Sequence, residues 1–286
     1  SRARVKAIVG RNKRLADRLA TEFNVKNVYA DYKEVIKRDD IKAIDICLPA
    51  FLHAQVALEV IEAKKHVFCE KPLGTNLGEA KAITESTEKA GVKNQIGFNF
   101  RFRPIYIKAK QMLEKGYIGE LFQTRIRIAM GGPYADHFYK KEAGGGVLSD
   151  LGSHAFDFMR WQVGEIKKVC AFLDTFVKRR AIGDEWMYSY VKREVPKVDV
   201  EVEVEDGASV LLRFENGIQG IIEASWIKKG GFEFNFDAYG SEGMLHLSPD
   251  EVRVYTRKDV NQDLYGWHIP FLRYGTDSNV AYVEEM

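Results

Sequence analysis

The chain has 286 residues, 45% of them hydrophobic, which is enough for two domains of ordinary size. Forty-three basic against 41 acidic residues leave a net charge of +2, neither the footprint of a nucleic-acid binder nor a polybasic membrane patch. The expected partners are therefore small molecules or a second copy of the chain, with no nucleic acid and no membrane.

Through the first third, short apolar runs alternate with amphipathic segments, the pattern of βα units on a mostly parallel sheet. Residues 5–9 predict a strand. A helix follows over 13–23, with Leu15, Leu19, Ala20 and Phe23 on one face. Strands are expected over 43–48, 65–69 and 94–98, and helices over 53–63 and 76–90, the last stopped by Gly91. After residue 103 the pattern changes. A helix over 104–115 starts on a proline, a long strand over 120–130 follows, and a second helix covers about 149–162. Extended stretches come next over 168–177, 208–214, 218–226, 232–239 and 251–255, with Asn216-Gly217 as a hairpin turn. Residues 178–205 read as a long charged connection carrying Trp186, Tyr188 and Tyr190, a surface excursion or a lid, and 279–286 as the start of a helix.

The fold class is thus an α/β Rossmann-type dinucleotide-binding domain over 1–103 and an α+β domain with a largely antiparallel open sheet over 104–286. A dinucleotide domain opens with a strand and a glycine-rich turn that holds the pyrophosphate. Nothing before Val5 has that form, and Gly144-Gly145-Gly146 and Gly230-Gly231 lack the required context. One further βα unit, roughly 25 to 35 residues, is expected in front. No apolar run approaches the roughly 20 residues of a membrane span, and Ser1-Arg2-Ala3-Arg4 is not followed by a signal-peptide core. Cys47, Cys69 and Cys170 read as reduced, buried thiols, so a soluble cytoplasmic protein is expected.

Two segments carry the chemistry. Glu70-Lys71-Pro72 ends the apolar run His66-Val67-Phe68-Cys69, and a lysine at the carboxyl end of a strand in an open α/β sheet faces the ligand crevice. Taken alone, it reads equally as a strand-ending turn. Asp150 and His154, four apart on a helix, share a face about 6 Å apart. A carboxylate there can fix the imidazole tautomer while the ring exchanges a proton with a substrate hydroxyl. The pair is too small a ligand set for a metal, and none is expected.

Together these segments resemble the glucose-fructose oxidoreductase and inositol dehydrogenase family, Gfo/Idh/MocA. The resemblance runs over nearly the whole chain. It rests on Leu48-Pro49-Ala50-Phe51-Leu52-His53, Glu70-Lys71-Pro72-Leu73, Gly97-Phe98-Asn99-Phe100-Arg101-Phe102-Arg103-Pro104, and the glycines 144–146 followed by Asp150, Gly152, His154 and Asp157. Val204-Glu205-Asp206, Phe214-Glu215-Asn216-Gly217 and Tyr239-Gly240-Ser241-Glu242-Gly243 are similar to its C-terminal sheet.

The resemblance implies an NAD(P)-dependent enzyme that moves a hydride between nicotinamide and a hydroxyl- or carbonyl-bearing carbon of a sugar, sugar acid or cyclitol. Lys71, Asp150 and His154 would be catalytic. Pro49, His53, Glu70, Lys71, Pro72, Asn99 and Arg101 would hold the cofactor, although Ala50 departs from the Asn common in that motif. Asp136, His137, Trp226 and Trp267 are candidates for a pocket for a polyhydroxylated substrate. At the end of the first strand, Gly10-Arg11-Asn12 lacks the acid usual for NAD and offers a guanidinium to a 2′-phosphate, so NADP is favoured over NAD, with Arg11 and Asn12 as contacts. The family also implies a homodimer or dimer of dimers through the C-terminal sheet, where Val210, Leu212 and Phe214 alternate, as they also would in a core. An NAD-dependent glycosidase and a non-catalytic dinucleotide sensor are the alternatives.

Overall fold

The computed structural model describes residues 3–182 and 198–257, together with the backbone of 266–272. Trp186, Tyr188, Tyr190 and residues 279–286 lie outside the described residues. The chain divides into two compact units, the first ending at Gly97 and the second beginning at Phe98. The segment up to Arg103 goes with the second unit because Phe100 is buried in its core.

In the first unit β1 (Ala7–Val9), α1 (Lys13–Glu22), β2 (Asn27–Tyr29), α2 (Tyr32–Ile36), β3 (Ala43–Ile46), α3 (His53–Glu62), β4 (His66–Cys69), α4 (Leu77–Ala90) and β5 (Asn94–Ile96) follow in order. Every pairing is parallel: β1 with β2 in one sheet, and β3 with β4 with β5 in another. α1 starts where Asn12 Oδ1 accepts the Leu15 amide at 3.1 Å, and α4 where Asn76 accepts the Glu79 amide at 3.0 Å. On α3, Val56, Ala57, Val60 and Ile61 recur at helical spacing and pack with Ile46, Val67, Cys69 and Ile83 as the core. Ala16 and Ala20 are the buried residues of α1; Phe23, expected on that face, is exposed because the helix ends one residue earlier. β2 and α2 are too short for periodicity to reveal them.

The second unit holds α5 (Pro104–Glu114), β6 (Leu121–Ala129), α6 (Ser153–Val163), β7 (Ile166–Asp174), β8 (Arg179–Ile182), β9 (Val198–Glu201), β10 (Gly207–Phe214), β11 (Gln219–Ser225), β12 (Glu233–Gly240), β13 (Gly243–Leu247), β14 (Glu251–Thr256) and β15 (Gly266–Leu272). Eight of these strands form one sheet in the order β15-β14-β13-β12-β6-β11-β10-β7. Its pairs are antiparallel except β6 with β11. β8 and β9 pair with each other inside the stretch expected to be a charged connection.

Alternation along β10 buries Val210, Leu212 and Phe214, which are therefore core and not a covered outer face, and exposes Ser209, Leu211 and Arg213. The same core holds Tyr106, Phe158, Trp226, Phe234 and Phe236. Of the three free cysteines only Cys69 is buried, with its thiol pushed up to about 12 by burial. Cys47 and Cys170 are exposed, against expectation, because Cys47 follows the last residue of β3 and Cys170 lies on an edge strand. None of the described helices is long and apolar enough to cross a membrane.

Candidate functional site

In the first unit the chemistry collects at the carboxyl ends of β3, β4 and β5. Glu70 extends the line of β4, its amide donating to the Ile46 carbonyl at 3.0 Å, and the Gly97 amide donates to the Cys69 carbonyl at 2.8 Å. Lys71 and Pro72 follow, joined by a cis peptide bond. The Glu70 carboxylate accepts the Lys71 amide at 3.3 Å. It also lies against Gly97, where a Cβ would come within 3.1 Å of it, so the close approach depends on glycine. Burial pushes the Glu70 carboxyl up, opposed by that amide and by the Lys71 charge.

His53 is fully buried, with Nδ1 2.7 Å from the Pro72 carbonyl oxygen and Nε2 2.7 Å from that of Leu48. Both ring nitrogens thus lie within hydrogen-bond distance of main-chain oxygens of the chain itself. Pro49 is half-buried and opens the short turn Ala50–Leu52 that leads into α3. At the end of β1, Arg11 is exposed, whereas the Asn12 oxygen caps α1. Asn12 is thereby a helix cap first.

In the second unit Leu148–Gly152 forms a π-helical turn that runs into α6. Asp150 and His154 were expected on one regular α-helical face; the structure widens the turn that carries Asp150, a distortion found often at functional sites. Asp150 Oδ2 accepts the indole N–H of the buried Trp226 at 3.2 Å. The His154 ring stacks on Phe100, centroids 4.4 Å apart and planes 13° from parallel, with Phe98 edge-on at 6.3 Å. Asp157, one turn further on, takes Arg101 in a two-pronged ion pair of 2.8 and 2.6 Å. The structure pairs Arg101 with α6, since a guanidinium fork matches a carboxylate two bonds at a time.

The triple glycine is a packing device. A Cβ on Gly145 would collide with the Phe138 carbonyl oxygen, and the amides of Gly145 and Gly146 donate to the carbonyls of Lys140 and Phe138 at 3.0 Å each. The neighbouring short turn Asp136–Tyr139 carries two of the expected substrate residues. Asp136 is exposed and accepts the His137 amide at 2.8 Å. Burial holds the His137 imidazole below its usual range, opposed by the negative charges of Asp136 and Asp150. Glu205 accepts the Leu148 amide at 3.1 Å at the start of the π turn. A cleft of about 640 Å³ beyond the ends of β6 and β11 is lined by Tyr139, Arg180, Trp226 and Lys228 among others. Trp267 lies on β15, opposite Tyr255, and its side chain is outside the described residues.

Sequence reasoning singled out Asp150 and His154 but missed Phe100 and Glu205 as their supports. Contacts made across tens of residues leave no local period to read. Asn99 is 6% exposed, and its Oδ1 has no hydrogen-bond partner among the described residues. An orphaned buried acceptor is costly, and the N–H of a carboxamide or the hydroxyl of a ribose is a donor of the kind it lacks. On that observation the residues fit a nicotinamide cofactor.

A parallel βα unit with a lysine at its strand ends, followed by a mixed-sheet unit carrying an aspartate–histidine segment, marks a dinucleotide-binding oxidoreductase. Residues 1–98 match the family profile described as oxidoreductase family, NAD-binding Rossmann fold, and residues 106–246 match the GFO/IDH/MocA C-terminal domain. The chain belongs to the Gfo/Idh/MocA oxidoreductase family. It is 32% identical to levoglucosan dehydrogenase of Pseudarthrobacter phenanthrenivorans over 89% of this chain and 68% of that protein. With myo-inositol 2-dehydrogenase of Thermotoga maritima it shares 31% identity over 82% of this chain and 64% of that one. It thus spans about two thirds of the length of these relatives. Among solved structures, levoglucosan dehydrogenase in complex with NADH and L-sorbose superposes with a TM-score of 0.84 at 28% identity, covering 98% of this chain and 78% of that one.

Proposed function

We propose that this chain interconverts a hydroxyl and a carbonyl on a sugar, sugar acid or cyclitol, with Lys71, Asp150 and His154 as its proton-transfer set. The nicotinamide, when bound, supplies or accepts the hydride. The carbon–hydrogen bond breaks only if the hydroxyl proton also leaves, and an ammonium at Lys71 stabilises the negative charge that develops on that oxygen. His154 exchanges the proton, and Asp150, itself oriented by the Trp226 indole, fixes substrate and charge. The observation that carries this reading is the Trp226–Asp150 hydrogen bond within a π turn that leads directly to His154. Glu70 and Asn99 serve the cofactor, the first beside Lys71 and the second through its unmet acceptor.

The chemistry of relatives supports the substrate class, since they include dehydrogenases named for levoglucosan, inositols and D-apiose. Exposed Arg11 supports NADP over NAD, with the 2′-phosphate as its partner. Three free thiols accord with action in the cytoplasm. The outer sheet face around Leu211 and Phe172 suits a second copy of the chain as its cover.

The test is a panel of polyols and sugars with full-length protein and either dinucleotide, followed by absorbance. Net reduction with a panel member supports the dehydrogenase. Release of a glycosidic product without net cofactor turnover overturns it in favour of the glycosidase. Arg11→Asp should weaken NADP more than NAD, and equal losses would remove the NADP preference.

A further inference from the structure

The buried imidazole of His53 bridges the turns that leave the neighbouring strands β3 and β4. It is the first residue of α3, and its ring turns back to the Leu48 carbonyl at 2.7 Å, in the turn that leaves β3. The other nitrogen meets the Pro72 carbonyl, also at 2.7 Å, in the turn that leaves β4. Carbonyl oxygens only accept. A neutral ring donates to one of them and a protonated ring to both, so in either form the ring holds at least one of the two turns by a hydrogen bond. Below Pro72 the turn is anchored by the Glu70 amide on Ile46 and by the Lys71 amide on Glu70. Above it, the described contact on the Pro72 carbonyl is His53. We infer that His53 is a positioning residue for Lys71, a clasp between the β3 and β4 turns that holds the lysine backbone at the angle from which its ammonium reaches a substrate oxygen.

This inference rests on Lys71 acting as proposed above, and it assigns His53 no contact with cofactor or substrate. A displacement of the order of 1 Å at a reacting group costs up to about 10²-fold in rate, so loosening one carbonyl is enough to be read in turnover.

The experiment compares His53→Gln, which keeps one donor, with His53→Leu, which keeps none, in the full-length protein. Amide hydrogen exchange is followed at residues 70–75 and 48–52, alongside NADH and NADPH affinity by fluorescence and the separate kcat and KM. The clasp predicts faster exchange in both turns, kcat lowered by about 10-fold or more in His53→Leu and by less in His53→Gln, and dinucleotide affinity within about threefold of the parent. Unchanged exchange at 70–75 in both variants overturns it. Lost dinucleotide affinity with kcat retained also overturns it, by making His53 a cofactor ligand. If His53→Leu does not fold, His53→Gln decides alone, since an unaltered turn and unaltered kcat there refute the clasp. Exchange and dinucleotide binding need no substrate. A parent protein inactive on every panel member would therefore sink the proposed reaction, while the exchange result would still decide whether His53 clasps the turns.

Discussion

The two proposed catalytic segments are held in place by different physics. Around Lys71 the supports are backbone carbonyls and polar side chains at the ends of strands only three or four residues long: His53 on Pro72 and Leu48, and Glu70 on the Lys71 amide. Around His154 they are rings and one ion pair, with Phe100 stacked on the imidazole, Trp226 bonded to Asp150, and Arg101 clamped to Asp157. Apolar packing is non-directional and shared among many neighbours, whereas a hydrogen bond is directional and lost in one substitution. The lysine turn is therefore sensitive in geometry and cheap in stability, and the histidine segment is the reverse.

Mutants can test that contrast. Phe100→Ala, which removes a ring buried among Tyr106, Phe234 and His154, is expected to cost about 3–5 kcal/mol of stability, read by denaturant unfolding. A loss below about 1 kcal/mol would mean that packing does not hold His154. Lys71→Met and His154→Ala should each lower kcat by about 10² or more, and full activity in either removes its catalytic role. The contrast adds that Lys71→Met leaves the melting temperature near that of the parent.

Smaller effects follow. Asp157→Asn weakens the pair with Arg101, whose side chain is 38% exposed and partly screened by solvent, for an expected loss of about 1–2 kcal/mol. Trp226→Phe keeps the ring and deletes the donor to Asp150. Calorimetry should find a loss of about 1 kcal/mol, with kcat reduced more than KM raised, because a carboxylate without that donor orients substrate less well.

The smallest effect is a slope. Burial raises the Glu70 carboxyl, so the folded state binds that proton more tightly than the unfolded chain. Its contribution is present below the ordinary carboxylate pKa and is lost as pH rises through the raised value. Glu70→Gln should flatten this part of the stability profile between about pH 4 and neutrality. An unchanged profile would place the Glu70 carboxylate in solvent.

The parallel βα grammar, the Asn-Gly hairpin and the Lys71 turn were all legible, because each is written in a short local pattern. His53 shows where legibility stops. Its spacing from Pro49 marked a loop near the cofactor, yet the partners that define it are main-chain oxygens, which carry no residue identity. The pairing of Arg101 with Asp157 was not legible, since the two lie 56 positions apart and only the fold brings them together. The π turn was equally hidden: Asp150 and His154 at a spacing of four suit an α-helix as well as its widened form. Phe23 failed by a single residue of helix length.

Trp226 has a consequence for measurement. Its indole is fully buried and hydrogen-bonded to Asp150, so its emission depends on the charge and position of a proposed catalytic carboxylate. Occupation of the site by a polyol that draws on Asp150 should alter the intensity or wavelength of that emission, and Trp226→Phe should abolish the change. The protein thus carries an optical gauge of the electrostatics at the proposed site, readable without label, cofactor or turnover.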